Sequence, residues 1–137
     1  MRRVLLAICV LALVGCAAPV STAVPAPAPV YVTSADQIVG VWVMSGAETS
    51  YIRFNADGTF DMHENEAGLD DASVEGTYQF DGDKVSFEDY QLVGVGVYRL
   101  EMTEGGAKPE TMRLRKVDDA APERIETFTK NVFRRKN

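Results

Sequence analysis

The sequence predicts an all-β domain, an antiparallel up-and-down meander of about eight strands. Apolar residues alternate with polar ones in segment after segment, and short turn signals rich in Gly, Asn and Asp separate the segments. A sustained 3.6-residue period is missing, although residues 118–125 allow one turn of helix. With 137 residues, 46% of them hydrophobic and 25% charged, the chain fits a single globular domain and excludes a multidomain enzyme.

Each predicted strand has an alternating pattern of its own. In chain order the eight are Ile38–Met44, Tyr51–Phe54, Thr59–His63, Val74–Phe80, Lys84–Phe87, Val95–Met102, Thr111–Val117 and Thr127–Arg135. The clearest hairpin signals between them are Asn55–Gly58, Asp81–Asp83 and Glu104–Gly106, where Gly adopts positive φ without steric cost.

Closure of this meander into a small barrel is favoured over a two-sheet sandwich, because closure removes the exposed edges of an open sheet. The alternation predicts an apolar interior made of Trp42, Met44, Ile52, Phe54, Phe60, Met62, Tyr78, Phe80, Val85, Phe87, Tyr98, Leu100, Met102, Met112 and Leu114. The last strand changes phase, because Phe128 and Phe133 are an odd number of residues apart. A bulge near Lys130 and Asn131 is predicted, since it would let both side chains face the interior.

The N-terminal sequence predicts a secretory signal peptide. Arg2 and Arg3 precede the uncharged run Val4–Val14, whose eleven residues are too short to cross a bilayer as a helix. The tetrapeptide Leu13-Val14-Gly15-Cys16 that ends this region resembles the lipobox of bacterial lipoproteins. That resemblance implies cleavage before Cys16 and diacylglycerol on its sulfur.

The predicted location follows from this lipid anchor. Several buried acyl chains hold a protein on a membrane far more firmly than one does, so we expect stable attachment to the bacterial cell envelope. Ala17 occupies the position where Asp favours inner-membrane retention in enteric bacteria, so the outer membrane is expected in a Gram-negative host. Cleavage also removes two arginines, which changes the formal charge from -6 to about -8.

Three regions are therefore predicted: a signal peptide at 1–15, a lipidated tether at 16–33 and a folded domain at 34–137. The tether carries Pro19, Pro25, Pro27 and Pro29 and no charge, a composition typical of an extended, semi-rigid spacer. A proline-rich ligand for an aromatic groove is the alternative reading. Cys9 leaves with the signal peptide and Cys16 is acylated, so the mature domain is predicted to contain no free thiol.

The first predicted strand contains Gly40-Val41-Trp42, which resembles the Gly-x-Trp motif of lipocalins and of bacterial lipocalin-like lipoproteins. The resemblance implies a barrel whose closed end is filled by the indole of Trp42, with an arginine from a late strand packed over the ring. The candidates for that arginine are Arg113, Arg115, Arg134 and Arg135.

A lipocalin-like barrel implies a small apolar or amphipathic ligand inside it. The side chains expected to line such a site are Trp42, Phe54, Phe60, Tyr78, Phe87, Tyr98 and Met102. The alternative is a solid-cored envelope lipoprotein that serves as a structural, assembly or inhibitory protein-binding module, with an acidic face between Asp57 and Asp89 as its contact. The inward methionines fit either reading, as an adaptable pocket or as core.

Other function classes find little support in the sequence. An acidic chain with a pI near 4.8 has the wrong sign for nucleic acid. The acidic residues Asp61, Glu64, Glu66, Asp70 and Asp71 around His63 are better read as a solvated strand edge and loop than as a metal site. Gly94 and Gly96 read as a strand bend, and the serines lie in no nucleophile elbow. The chain is therefore predicted to be a non-enzyme without cofactor.

Overall fold

The computed structural model describes residues 25–46 and 49–137. The predicted signal peptide, the lipobox with Cys16 and the tether up to residue 24 lie outside the described residues. In that part of the chain the structure has nine strands and one α-helix. The strands are β1 Val30–Tyr31, β2 Gly40–Ser45, β3 Thr49–Phe54, β4 Thr59–His63, β5 Val74–Asp81, β6 Lys84–Asp89, β7 Gly96–Gly105, β8 Pro109–Asp118 and β9 Val132–Arg135, and α1 is Pro122–Lys130.

Strands β2 to β9 form a closed antiparallel barrel, which confirms the predicted fold class. Neighbours in sequence pair from β2 through β8, and β9 inserts between β8 and β2 to complete the ring. The hairpins at 55–58 and 81–84 contain Gly58 and Gly82, both with positive φ, as the turn signals predict. A single-turn 3-10 helix lies at Ala35–Gln37, and a second 3-10 helix, of six residues or two turns, at Glu66–Asp71.

The strand outside the barrel, β1, belongs to the segment predicted as tether. Val30 and Tyr31 in β1 pair with Met102 and Glu101 of β7, beyond the point where the pairing of β7 with the start of β6 stops. Val32 follows, donates its N–H to the Leu100 carbonyl at 2.9 Å and is fully buried. The ordered domain thus begins before the expected boundary at residue 34, because the residues after Pro29 regain the backbone donors that a β-ladder requires.

The barrel interior is the predicted one. Of the fifteen side chains expected inside, twelve are buried, and Met62, Phe80 and Met102 are partly buried against the same core. Ile38, Val32, Phe128 and Phe133 complete the cluster. A continuous apolar core therefore fills the barrel and stabilises it by removing hydrophobic surface from water.

The predicted strand over Thr127–Arg135 is wrong in its first half. Residues up to Lys130 belong to α1, and only Val132–Arg135 is extended. The change of phase between Phe128 and Phe133 is a transition from helix to strand, not a bulge. Helical periodicity was hidden because the buried face of α1 consists of Arg124 and Phe128, four residues apart, and one of them is charged.

The two ends of the barrel differ in construction. The first end, near Gly40, carries the 55–58 and 81–84 hairpins and the turn between β7 and β8. The second end carries the segment between β4 and β5, the loop between β6 and β7, and α1. We call the first the tryptophan end and the second the helix end.

Candidate functional site

The tryptophan end is closed by Trp42 and Arg135. The indole Nε1 donates to the Ile38 carbonyl at 2.7 Å, and the Arg135 guanidinium carbon lies 4.4 Å from the centre of the indole ring. Arg135 also donates to the carbonyl oxygens of Gln37, Val39 and Pro109 at 2.5, 3.0 and 3.0 Å. Among the four candidate arginines, Arg135 is therefore the one that packs on Trp42. Burial lowers its pKa from the ordinary arginine value.

The residues predicted to line a ligand site pack mainly against one another. Trp42, Phe54, Phe60, Tyr78, Phe87 and Tyr98 are at most 5% exposed, and Met102 is partly buried. Phe87 is central to them, with ring centroids 6.2 Å from Phe54, 5.7 Å from Phe60 and 5.9 Å from Tyr98. These separations are typical of edge-to-face and tilted aromatic packing, so the rings occupy each other's space.

The α1 helix adds a further ring from the helix end. The Phe128 centroid lies 4.9 Å from Phe87, 5.4 Å from Tyr98 and 6.3 Å from Phe133. Phe128 is 2% exposed, so its side chain projects into the barrel and fills the end opposite Trp42. Both ends of the core are thus closed by an aromatic side chain.

Outside this ring is an open pocket at the helix end, which we call the end pocket. Its volume is about 240 Å³, and its lining is mostly apolar. The lining residues are Phe60, Met62, Val74, Asp89, Gln91, Leu92, Glu123, Arg124, Thr127 and Phe128. Phe60 is the residue that this set shares with the seven predicted ligand contacts. Small-molecule sites usually measure about 300–1,000 Å³, so the end pocket suits a single large side chain or a small ligand fragment.

A buried ionic network forms one wall of the end pocket. The Arg124 Nε and second terminal nitrogen donate to both Asp119 oxygens, at 2.7 and 2.8 Å, and the remaining terminal nitrogen donates to Asp89 at 2.8 Å. The Tyr98 hydroxyl also donates to Asp119. All three charged side chains are at most 4% exposed. This network joins α1 to the end of β6, the start of β7 and the end of β8.

The protonation states in the network are held by its hydrogen bonds. Burial opposes ionisation of Asp119, but donors from Arg124, Tyr98 and the Ala121 N–H outweigh it and lower the pKa of Asp119 to about 2. Burial, followed by the bond to Asp119, raises the pKa of Tyr98. The Asp119 bond likewise raises the pKa of Arg124 above its ordinary value. Asp119 and Arg124 therefore stay charged, and the Tyr98 phenol stays neutral, throughout physiological pH.

The network also shapes the loop of residues 90–95, which we call the apolar loop. Asp89 Oδ1 accepts from the backbone N–H of Gln91 at 3.1 Å and of Leu92 at 2.7 Å, while its other oxygen binds Arg124. The Tyr90 N–H donates to the Glu75 carbonyl at 3.0 Å. These three bonds anchor the first half of the loop, which lowers the conformational entropy that this half loses on binding.

This anchored loop exposes large apolar side chains. Tyr90 is 70% exposed, Val93 94% and Val95 48%, and Leu92 turns toward the end pocket. No charged residue occurs from Tyr90 to Tyr98. Gly94 has φ +85 within the loop, and β7 begins at Gly96, so the two glycines lie in and just after a turn, where the sequence predicted a strand bend.

The acidic residues around His63 are partly paired. Arg53 binds Asp61 at 2.9 Å and Asp70 at 2.7 Å, and Lys136 binds Glu66. The His63 ring accepts from the Asn65 N–H at 3.1 Å. Within residues 25–46 and 49–137, no group of three or more His, Cys, Asp or Glu side chains is arranged to hold a metal ion.

Sequence reasoning missed Asp89, Asp119 and Arg124 as a unit. The three lie 30 and 5 residues apart, and acidic residues are too frequent in this chain for any pair to be distinctive. One signal was present: Asp119 precedes Pro122 by three residues, and a Pro at the first helical position marks a helix start. Asp89, which binds Arg124 from the end of β6, has no such local signal.

Comparison of the chain with known protein families, curated proteins and solved structures found no match. Across the described residues there is also no helix with the length and apolar character needed to cross a membrane.

Proposed function

We propose that this chain is a lipid-anchored protein of the bacterial envelope whose lipocalin-like barrel serves as a protein-binding module. The observation that carries this proposal is the contrast between a core filled with side chains and an apolar loop and pocket on its outside. An interior closed by Trp42 at one end and Phe128 at the other leaves the surface as the place for recognition.

The helix end has the features of a recognition surface. Exposed aromatic and aliphatic side chains beside a concave apolar pocket are characteristic of protein interaction sites. Here Tyr90 and Val93 project beside the end pocket, and the bonds of Asp89 hold their loop in place. A rigid surface loses less conformational entropy on binding than a flexible one.

The lipid anchor rests on the lipobox. We expect the mature chain to begin at acylated Cys16 and to be attached to the outer membrane where the host has one. A palmitate analogue supplied to growing cells should label the wild type and leave Cys16→Ser unlabelled. Labelling of the Cys16→Ser variant, or a wild-type N-terminus elsewhere, would contradict the anchor.

Protein binding is tested by photo-crosslinking of the full chain in cells. A photoreactive residue at Val93 should give discrete adducts with another envelope protein. The same residue at Val30, which is 59% exposed on β1, is the matched control and should give none. Equal patterns from both positions, or no adduct from Val93, would refute a protein-binding role for the helix end.

A second candidate function is the binding of a small apolar ligand, favoured by the apolar lining of the end pocket. Its volume of about 240 Å³ accommodates a short acyl or aromatic group. Native mass spectrometry of the full chain, released from detergent, distinguishes the two. A co-purified small molecule that is lost when Thr127 is replaced by Trp would favour this second function.

A further inference from the structure

We infer that the helix end docks a basic, amphipathic polypeptide segment, inserting one apolar side chain into the end pocket and placing Lys or Arg residues around it. This inference rests on the proposed protein-binding function and adds the chemistry of the partner. Three features of the surface support it: the size of the pocket, the position of the apolar loop and the charge around both.

The size of the pocket limits what enters it. A volume of about 240 Å³ admits one large apolar side chain such as Phe or Leu. It lies below the range of about 300–1,000 Å³ that is usual for small-molecule sites, so it is too small for an extended ligand. Its floor consists of Phe60 and Phe128, whose inner faces belong to the core. An inserted apolar side chain would therefore extend the existing core outward by one residue.

The apolar loop widens the contact beyond the pocket. Leu92 lines the pocket, while Tyr90 and Val93 are 70% and 94% exposed beside it. A small molecule inside the pocket would leave these two side chains in water. A polypeptide that crosses the loop would cover them, and interface anchors are typically large apolar or aromatic residues of this kind.

The charge of the helix end selects a basic partner. Residues 64–75, 88–95 and 118–131 carry eleven acidic and two basic residues, a formal net of about -9. Arg53 and Lys136 pair with Asp70 and Glu66 from outside these segments, which leaves a clear acidic excess. Within the pocket lining, Glu123 is exposed on the first turn of α1.

The same charge argues against a lipid surface as the occupant. Bacterial membranes that contain anionic lipids repel an acidic surface, whereas apolar loops that insert into such membranes are usually accompanied by Lys or Arg. From Tyr90 to Val95 the apolar loop contains no basic residue, and the segments around it are acidic. Opposite charges accelerate encounter and favour a cationic segment over other apolar sequences.

The test uses the detergent-solubilised full chain and three peptides of equal length with the same central Phe and Leu residues. Their flanks consist of Lys, Ser or Glu, and binding is measured by fluorescence anisotropy. We expect the Lys-flanked peptide to bind at least about tenfold more tightly than the Ser-flanked one, with a difference that shrinks as salt increases. The Glu-flanked peptide should bind most weakly.

Two surface variants locate the contact. Val93→Ser and Glu123→Gln change exposed side chains and should each weaken binding of the Lys-flanked peptide by at least about threefold. Val30→Ser, on a remote strand, is the control and should leave binding unchanged. Unaltered binding in both surface variants would overturn the inference.

The remaining outcomes also decide. Equal affinity for Lys and Ser flanks, or no binding of any peptide, overturns the partner chemistry. If adducts from Val93 in cells persist nevertheless, the protein-binding function stands and only this inference fails. Hydrogen exchange in phosphatidylglycerol nanodiscs covers the lipid alternative: protection of residues 90–95 by lipid alone would identify a membrane contact and overturn it.

Discussion

Trp42 and Arg135 are direct partners across β2 and β9, and the guanidinium lies over the indole at 4.4 Å. The pairing of β2 with β9 brings the first and last strands of the barrel together, and one cation–π contact joins them. Arg135 completes the arrangement by donating to three backbone carbonyl oxygens that lie before β2 or at the start of β8. One side chain thus links β9 to the segment before β2 and to the start of β8 at the tryptophan end.

Replacement of Arg135 by Ala should destabilise the domain by about 2–4 kcal/mol. The change removes a cation–π contact and leaves the carbonyl oxygens of Gln37, Val39 and Pro109 without this donor. The free energy of unfolding in urea measures the effect. Arg134→Ala, the exposed neighbour, is the matched control and should change stability by less than about 0.5 kcal/mol. Equal losses of stability in the two variants would show that the effect comes from removing a positive charge and not from the contacts of Arg135.

Phe128→Ala should destabilise the domain by about 3–5 kcal/mol, because it leaves a cavity beside Phe87 and Tyr98. It also joins the end pocket to the interior, so binding of an apolar fluorophore should increase. Urea unfolding and fluorophore titration measure the two effects. Phe80→Ala, at a partly buried ring on β5, should cost less and leave fluorophore binding unchanged. If fluorophore binding rises equally in both variants, Phe128 does not close the barrel.

Gly96→Ala should destabilise the domain by about 1–3 kcal/mol. A Cβ at this position would contact the Asp119 carboxylate and lie 2.7 Å from Arg124 Nε, so the buried network would have to shift. Gly106→Ala meets nothing within 4 Å and serves as the control, with an expected change below about 0.5 kcal/mol. Thermal unfolding of both variants measures the difference. A Gly96→Ala variant as stable as the wild type would show that the network tolerates displacement.

Asp119 should contribute an acid-sensitive part of the stability. Its pKa of about 2 in the folded chain lies below the ordinary value of 3.8, so folding favours the carboxylate. The contribution, about 2 kcal/mol, is present above pH 3.8 and is lost as the pH falls through about 2. Urea unfolding at successively lower pH measures this loss.

Asp119→Asn should remove that pH dependence and cost about 3–5 kcal/mol at neutral pH, because Arg124 then faces Asp89 alone. Asp118→Asn, its exposed neighbour, is the control and should keep the wild-type profile. If Asp119→Asn retains the full acid-dependent loss, the titrating group lies elsewhere in the chain.

The barrel was predictable because strand alternation is a local signal with a period of two. Phe54, Phe60 and Phe87 are buried where the alternation places them, since a buried face requires apolar residues at every second position. The same reasoning failed over Thr127–Lys130. There the local pattern is weak, and the helix depends on Pro122 at its start and on burial of Phe128 in the barrel.

The candidate site depended on distances that no local pattern encodes. Asp89, Arg124 and the apolar loop meet only because β6 ends, β7 begins and α1 lies at the helix end of the barrel. Val93 is 94% exposed just after the residues that Asp89 anchors, although a valine in an uncharged run is more commonly buried.

Local sequence patterns specify the antiparallel class, the strand order and the inward side chains. These features depend on neighbours within a few residues, where alternation and turn chemistry act. Tertiary structure alone decided that Arg135 covers the indole, that Phe128 closes the opposite end and that Arg124 joins two distant carboxylates. Such contacts depend on how the strands close into a ring, and closure brings together residues that are far apart in the chain.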